Sequence, residues 1–280
     1  MGGLSGLSGL RGLSGLTARP AAGGFDADAQ TFFTDADITD ATQRTAVNDL
    51  VVGLKANGTW SKYHVIYPLV GGTASRHSFN LKNPATFRIT WSGGVTHNSN
   101  GITGNGSTGV GNTGYTPSTS ATIGDNHISI YSRTDRAFAN LYEMGSMNFG
   151  GAPPTYTHWG FTLKNNGSNS CLALLLGGDT NPNPFFANSD SRGFYTTTRS
   201  DTISVLMYRN GSSVVNTAQP QSVAPSHPIS ILALNQNGSN VAHSTVELAF
   251  TSIGLGLTAA QAAADYTTIQ AFQTALSRQV

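Results

Sequence analysis

The chain has 280 residues, of which 10% are charged, and its formal net charge is +1. So small a charge excludes the general electrostatic footprint of a protein that binds nucleic acid or an anionic membrane surface. No apolar run approaches the roughly 20 residues that a membrane-spanning helix needs, so we expect neither nucleic acid nor a membrane as a partner.

The chain begins with a strict three-residue repeat that has glycine first and leucine second. The repeat contains Gly3, Leu4, Gly6, Leu7, Gly9, Leu10, Gly12, Leu13, Gly15 and Leu16. A polyproline-II backbone has three residues per turn, so the repeat would place its glycines along one edge. Glycine along one edge lets neighbouring chains approach closely, as in the three-chain helix of collagen. We therefore predict that residues 1–24 form an assembly arm and hinge, with homotrimerisation favoured. A flexible Gly/Ser leader is the alternative, but a solvated linker gains nothing from a leucine stripe.

Residues 25–62 are predicted to be a linker that carries an amphipathic helix. Asp40 is expected to cap the helix, Asn57-Gly58 to end it, and the apolar residues recur at three- and four-residue intervals. These apolar residues are Val47, Leu50, Val51 and Leu54. The stripe is expected to dock on the following domain, with a neighbouring subunit as the alternative.

Aspartates are frequent in the first part of this linker, at positions 26, 28, 35 and 37. Hard oxygen ligands of this kind bind Ca²⁺, but the spacing does not match a twelve-residue EF-hand loop and no glutamate closes it. We therefore expect helix N-terminal charge and solvated loops here, and no metal site.

From residue 63 onward, short apolar or alternating runs are separated by turn residues. The predicted strands are Tyr63 to Leu69, Thr86 to Trp91, His127 to Ser132, His158 to Leu163, Ser170 to Leu176, Gly193 to Thr198, Ser204 to Tyr208, Ser213 to Asn216, Ile229 to Leu234 and Thr245 to Ser252. Such regular spacing predicts an all-β sandwich over residues 63–280. Hairpin turns are predicted at Asn166-Gly167, Asn210-Gly211 and Asn237-Gly238.

The sandwich region is expected to end with a second helix. Thr258 and Gln261 have the spacing of a capping box, and Tyr266, Ile269, Phe272 and Leu276 form its apolar face.

The motifs that could carry chemistry are weak. Gly104, Gly106 and Gly109 match a dinucleotide fingerprint, but neither a strand nor a helix pattern flanks them, so 100–113 is predicted to be a mobile loop. Glycoside hydrolysis needs two facing carboxylates, and no close Glu/Asp pair lies on a predicted strand. Glu247 is expected in a structural ion pair or facing outward, and we expect no catalytic residues.

The cysteine and the histidines are more consistent with structural roles than with catalytic or metal-binding ones. Cys171 lies in an apolar run and is predicted to be a buried core thiol. The histidines at 64, 77, 97, 127, 158, 227 and 243 lack zinc-site spacing. A Ser/His/Asp triad stays an open alternative, although no Gly-x-Ser-x-Gly elbow is present.

Aromatic side chains could stack on sugar rings if they line a concave face, but they more often fill a sandwich core. The aromatics concerned are Trp60, Trp91, Trp159, Tyr115, Tyr142 and Tyr156. The sequence does not locate a ligand-binding site among them.

Several longer stretches resemble a group of bacteriophage virion proteins with a concanavalin A-like (laminin-G-like) sandwich. The stretches are IYPLVGGTASRHSFNLKNP (66–84), HISIYSR (127–133), LAFTSIGLGLT (248–258) and IQAFQTAL (269–276). The resemblance covers roughly residues 40 to 280. It implies a jelly-roll sandwich on a phage particle, in a tail fibre, a tail-associated component or a head decoration. The Glu-x-Asp-x-x-Glu motif of glucanases with this fold is missing, so no enzymatic role is implied.

Together these observations predict a non-enzymatic phage virion structural protein without a cofactor. Its arm would join it to itself and to other virion proteins, and its sandwich would face outward, with a host-surface glycan as candidate ligand. The alternative is a carbohydrate-binding module or a glycan depolymerase, and a bacterial secreted adhesin is a third hypothesis.

Overall fold

A computed structural model describes residues 24–150, 157–165, 169–177, 185–221 and 223–280. The α-helices are α1 (Ala27–Asp35), α2 (Ala41–Ala56), α3 (Ala74–His77), α4 (Pro117–Ser120) and α5 (Ala259–Ala275), and Trp60–Lys62 forms a 3₁₀ turn. The strands are β1 (Tyr63–Tyr67), β2 (Thr90–Ser92), β3 (Val95–Asn98), β4 (Gly101–Gly104), β5 (Val110–Asn112), β6 (Asn126–Ser132), β7 (Met144–Asn148), β8 (Thr157–Asn165), β9 (Ser170–Gly177), β10 (Phe185–Ala187), β11 (Gly193–Arg199), β12 (Ser204–Arg209), β13 (Ser212–Ala218), β14 (Ser230–Ile231), β15 (Leu234–Gln236), β16 (Ser239–Val241) and β17 (Glu247–Gly254).

The strands form two sheets. The first has the order β13-β12-β11-β6-β17-β4-β3, and β1 also pairs with β17. One edge of β17 is therefore shared: its first residues pair with β4 and its last residues with β1. The second sheet has the order β10-β9-β8-β7-β14-β5-β2, to which β15 adds in parallel to β7 and β16 pairs with β15.

The two sheets enclose an apolar core. Alternate strand residues point inward, such as Ile128 and Ile130 of β6 and Trp159 and Phe161 of β8, and all of these are fully buried. Cys171 lies in the same core, as predicted, with its sulfur 3.9 Å from that of Met207. The predicted all-β, jelly-roll-type sandwich is confirmed.

A second core lies between the helices and the outer face of the first sheet. Residues that alternate with the inward ones, including Ile66, Tyr131 and Phe250, pack there against the apolar side of α2 and α5. The predicted stripe of α2 is buried, so this helix docks on the sandwich. In the described residues no helix is long and apolar enough to cross a membrane.

The predicted helix ends are confirmed. The Asp40 side chain accepts a hydrogen bond from the Gln43 backbone N–H at 2.8 Å, and Thr258 and Gln261 form both bonds of a capping box. Helix α1 was not predicted. The Asp26 side chain caps its N-terminus, Asp28 lies in its first turn, and both carboxylates pair with Lys55. Asp26 and Asp28 therefore provide helix N-terminal charge, whereas Asp35 is the last residue of α1 and Asp37 lies beyond the helix and pairs with Arg76. The described residues contain no cluster of three or more metal-ligating side chains.

Two predicted hairpins form as expected. Asn210 and Gly211 have φ angles of 49° and 74°, and Asn237 and Gly238 have 53° and 89°, which are the positive angles that tight hairpin turns need. Asn166-Gly167 lies outside the described residues, as does the predicted arm at residues 3–17.

Two strand predictions fail at residues with left-handed backbone. The predicted strand from Thr86 begins only at Thr90, because Phe87 has φ 52° and turns the chain. The predicted strand from Ile229 to Leu234 is divided into β14 and β15 at Leu232, where φ is 65°. Both are non-glycine residues for which sequence gives no turn signal.

The prediction of a mobile loop over 100–113 is also wrong, because β4 and β5 lie within it. Gly104 ends β4 at a point where an added Cβ would lie 2.1 Å from the carbonyl oxygen of Ser244. Glycine here permits close backbone approach inside a sheet and does not mark a flexible segment.

A polar cluster joins α5 to the beginning of the sandwich. Asp265 is buried and accepts hydrogen bonds from the Thr59 hydroxyl at 2.6 Å, the Tyr63 hydroxyl at 2.8 Å and the Asn57 amide at 3.0 Å. Burial raises the pKa of Asp265, and the three hydrogen bonds oppose that effect. Farther along, buried Arg278 donates to the backbone carbonyls of residues 68 and 69.

Candidate functional site

The two glutamates are both held by arginines. Glu247 forms an ion pair with Arg133, as expected. Glu143 is fully buried; its Oε1 accepts from Arg136 Nε at 2.8 Å, and its Oε2 accepts from the Leu163 backbone N–H at 2.8 Å. Burial raises the pKa of Glu143 and the neighbouring guanidinium opposes this. Each glutamate therefore has a structural partner already in place.

The structure brings together two histidines that the sequence analysis treated singly. The Nδ1 atoms of His77 and His97 lie 3.1 Å apart, and His77 Nε2 accepts from the Gly72 backbone N–H. Burial lowers the pKa of His77 to about 3, so its ring is neutral, and because Nε2 accepts, Nδ1 carries the proton and donates it to His97 Nδ1. The residues are separated by 20 positions, and no short spacing motif could have found them.

The aromatic candidates divide between core and surface. Trp159 and Tyr115 are fully buried, and Trp60 is 8% exposed. Trp91 is half-buried and lines an open groove of about 480 Å³, which we call the Trp91 groove. That groove is lined by Ala74, Ser75, Ser78, Arg88, Ile89, Thr90 and Trp91. Tyr142 packs on His158, and Tyr156 lies outside the described residues.

A larger open groove of about 560 Å³ lies at the start of the sandwich, and we call it the His64 groove. It is lined by Tyr63, His64, Lys82, Asn83, Thr86, Phe87, Tyr115, Thr119 and Ser120. These residues come from β1, from the connection between α3 and β2, and from the segment around α4. Hydroxyl, amide, imidazole and ammonium groups thus meet beside aromatic rings, and none of the described lining residues is acidic.

A short hydrogen-bond relay orients His64. Its Nδ1 lies 3.0 Å from the Tyr115 hydroxyl, and that hydroxyl donates to the Ser120 carbonyl oxygen at 2.9 Å. Because the single hydroxyl proton goes to Ser120, the network places a proton on His64 Nδ1. In the neutral ring, Nε2 is then an acceptor, and it has no partner among the described residues. Burial lowers the pKa of His64, so the neutral form dominates at neutral pH.

Lys82 provides a cation in this groove without an anionic partner. Its Nζ lies 4.4 Å from the centroid of the Trp60 ring, and no carboxylate in the described residues pairs with it. Burial lowers the pKa of Lys82, which is half-buried. Lys55 approaches the same ring at 5.5 Å but is paired with Asp26 and Asp28, at 2.7 and 2.6 Å.

The wall of the groove is fixed by an unusual backbone conformation at Phe87. This residue has φ 52°, a left-handed conformation that is unfavourable for a bulky residue. The Tyr67 hydroxyl donates to the Phe87 carbonyl oxygen, and the Phe87 ring packs on Tyr115 with centroids 5.1 Å apart. The surrounding contacts therefore hold Phe87 in place before any ligand binds.

This arrangement can bind a ligand rich in hydroxyl groups. Such a ligand could donate hydroxyl hydrogen bonds to His64 Nε2 and to side-chain oxygens, accept from Asn83 and Lys82, and pack a ring on an aromatic edge. The sequence alone does not locate this site, because its residues come from three separate segments and none belongs to a motif.

Comparisons with known proteins support the fold alone. No protein-family model and no curated protein matches the chain. Among solved structures, the chain is similar to the binding domain of botulinum neurotoxin DC in complex with rat synaptotagmin II, at 10% identity and a TM-score of 0.52, over 75% of this chain and 52% of that one. A crystal structure of a mutant of HCR/D matches at 11% identity and a TM-score of 0.50, over 74% of this chain and 52% of that one.

The chain thus spans about half the length of these solved proteins. Domain 4 of the extracellular arabinanase AbnA from Geobacillus stearothermophilus, in complex with arabinotriose, matches at 12% identity over 72% of this chain and 97% of that domain. Its TM-score of 0.40 is too low to carry an argument. The likeness at TM-scores of 0.50 and above supports the β-sandwich fold of this chain.

Proposed function

We propose that this chain is a non-enzymatic attachment protein whose sandwich binds a glycan in the His64 groove. The observation that carries the proposal is the lining of that groove, where an unpaired imidazole nitrogen, an unpaired ammonium and several hydroxyl and amide groups surround aromatic rings. The fold it shares with a protein-binding domain is compatible with a binding role.

The carboxylates of the chain argue against a glycan depolymerase. Cleavage of a glycosidic bond uses two carboxyl groups on opposite sides of the sugar. Glu143 and Glu247 are each engaged by an arginine, and no described residue that lines the His64 groove is acidic. Binding without cleavage is therefore the function that this groove supports best.

We further propose that the protein is part of a phage particle. Its support is the resemblance of residues 40 to 280 to phage virion proteins and the glycine-leucine repeat of residues 3–17. The arm would join three copies to one another and to the particle, leaving each sandwich free to meet a host-surface glycan.

Glycan binding is tested on an array, followed by titration of each hit. Thr119 and Ser118 are adjacent and exposed on α4, but only Thr119 lines the groove. We expect Thr119→Leu to weaken binding at least about 3-fold, through loss of a hydroxyl and narrowing of the groove, and Ser118→Leu to leave it unchanged. Equal effects of the two variants would contradict the assignment of the groove. Release of reducing sugar from a bound polysaccharide would instead establish the depolymerase.

Virion assembly is tested by deleting residues 1–18. We expect the shortened chain to keep the unfolding transition of the sandwich but to lose oligomerisation and incorporation into particles. A full-length chain that is monomeric in solution, or that is absent from purified virions, would refute this part of the proposal.

A further inference from the structure

The described cations differ in their partners: six pair with a carboxylate, four others (Lys62, Arg199, Arg209 and Arg278) donate to backbone carbonyls, and Arg44, Lys82 and Arg88 do neither. Lys55, Arg76, Arg133, Arg136, Lys164 and Arg192 each form an ion pair with a carboxylate. Lys82 and Arg88, which both lie on the connection between α3 and β2, form none in the described residues. Each of these two cations lines an open groove, Lys82 the His64 groove and Arg88 the Trp91 groove.

The two grooves are neighbours along the chain. Consecutive residues line them, Phe87 in the first and Arg88 in the second. The Arg88 guanidinium is held in place, because it lies 3.8 Å from the centroid of the Phe79 ring and donates to the Ser78 hydroxyl at 3.1 Å. No acidic residue lines either groove among the described residues.

Lys82 is held in an equally defined position. Its Nζ lies 4.4 Å from the centroid of the Trp60 ring, and of the charged groups that act on it, Asp28 favours the charged form and Lys55 opposes it. Burial lowers the pKa of Lys82, which means that part of the hydration of the ammonium group is not replaced within the protein. A carboxylate on a ligand would provide the missing compensation.

We propose that the glycan bound by this protein is acidic. One of its sugar carboxylates binds Lys82 in the His64 groove, and a second carboxylate, on another sugar of the same glycan, binds Arg88 in the Trp91 groove. This inference rests on the proposed function and specifies its substrate class. Hydroxyl groups of the same sugar bind His64 Nε2 and the hydroxyl side chains of the groove. The net charge of +1 for the whole chain keeps non-specific attraction weak, so binding depends on these two positions.

The experiment uses an array of acidic and neutral glycans and calorimetric titration of an oligogalacturonide and its methyl ester. The ester keeps every hydroxyl group and loses only the negative charges. We expect the oligogalacturonide to bind at least about 10-fold more tightly than its ester, as a charge-assisted hydrogen bond contributes about that factor. The affinity for the acid is expected to fall with added salt, whereas that for a neutral glycan is not.

Variants locate the charges responsible. Lys82→Gln is expected to weaken oligogalacturonide binding about 10- to 100-fold, and Lys82→Arg to retain most of it. Arg88→Gln is expected to weaken binding to long oligomers more than to a single uronic acid. Lys55→Gln is the matched control: it removes a cation beside the same Trp60 ring but outside the groove, and its affinity should stay within about 2-fold of that of the parent.

Each outcome bears on a different claim. Equal affinity for the acid and its ester, or binding of neutral glycans alone, would overturn the acidic-glycan inference and leave the proposed glycan-binding function intact. Failure of every acidic and neutral glycan on the array to bind would overturn both. Equal losses in Lys82→Gln and Lys55→Gln would show a general charge effect and refute the role of Lys82.

Discussion

The buried site around Glu143 and the His64 groove use similar chemical groups in opposite ways. Around Glu143, both carboxylate oxygens and every guanidinium nitrogen of Arg136 have partners within the protein. In the His64 groove, Lys82 has no anionic partner and His64 Nε2 has no hydrogen-bond partner in the described part of the chain. The first region uses its polar groups for stability, and the second leaves them available for a ligand.

The largest effect is expected from breaking the buried pair. Arg136→Met leaves Glu143 charged and buried without a counter-ion, which should lower the free energy of unfolding by about 3–5 kcal/mol. Urea denaturation measures this loss. Lys82→Gln is the contrasting variant, and its unfolding free energy should stay within about 0.5 kcal/mol of that of the parent. A similar loss in both variants would remove the distinction between the two regions.

The pH dependence of stability should come from the interior histidines. Burial lowers the pKa of His158 from 6.5 to about 4. The unfolded chain therefore binds this proton first as the pH falls, and stability is lost between about pH 6.5 and pH 4. From pH 7 to pH 5 this residue should account for about 2 kcal/mol, which His158→Gln would remove from the pH dependence of urea unfolding. An unchanged pH dependence in that variant would contradict the neutral, buried imidazole.

Tyr115 connects the sandwich core to the His64 groove, because its ring is buried in the core and its hydroxyl contacts His64. Tyr115→Phe removes the hydrogen bonds to Ser120 and His64, and should cost about 1 kcal/mol of stability. Glycan affinity should also fall, since the imidazole is no longer held in one orientation. Tyr195→Phe removes a hydroxyl that donates to the Asn188 side chain at 3.1 Å and does not line the groove, so comparison of the two variants separates loss of orientation from loss of stability.

The smallest effect concerns pH and binding. Burial lowers the pKa of His64, which Asp125 opposes and Lys82 reinforces, so protonation occurs on the acidic side of the usual range for histidine. As the pH falls through that pKa, the ring gains a positive charge, and an acidic glycan should bind roughly 3-fold more tightly. Titrations of His64→Gln at the same pH values should show no such increase. A neutral glycan whose affinity rises equally would argue against a charge effect.

Sequence analysis predicted the parts of the fold that follow from regular patterns. The apolar period of α2, the Thr258 capping box and the Asn210-Gly211 hairpin are local signals, and each was confirmed. Strands β4 and β5 were not predicted because they are short and contain glycine, a residue that is more common in turns and loops than in strands. Their place in the sheets depends on close backbone packing with distant segments.

The candidate site could not be predicted for a related reason. His64, Lys82 and Tyr115 have no common spacing, and they meet only because β1, the connection before β2 and the segment around α4 converge. The left-handed backbone at Phe87 has no sequence signature, since tertiary contacts impose it. The lack of an ion-pair partner at Lys82 is likewise a property of the folded surface. The sequence does not show which aspartates lie near this ammonium group in the folded chain.

The polar contacts that join α5 to the start of the sandwich have a consequence for folding kinetics. Tyr63 and Asp265 are 202 residues apart, and Arg278 bonds to carbonyls 209 and 210 residues away. Closing such long loops costs entropy before any contact compensates for it, and domains dominated by distant contacts fold slowly. We therefore expect the helix-covered core to complete late, so that Phe250 and the other apolar residues on the outer face of the first sheet stay exposed to chaperones or to aggregation until α5 docks.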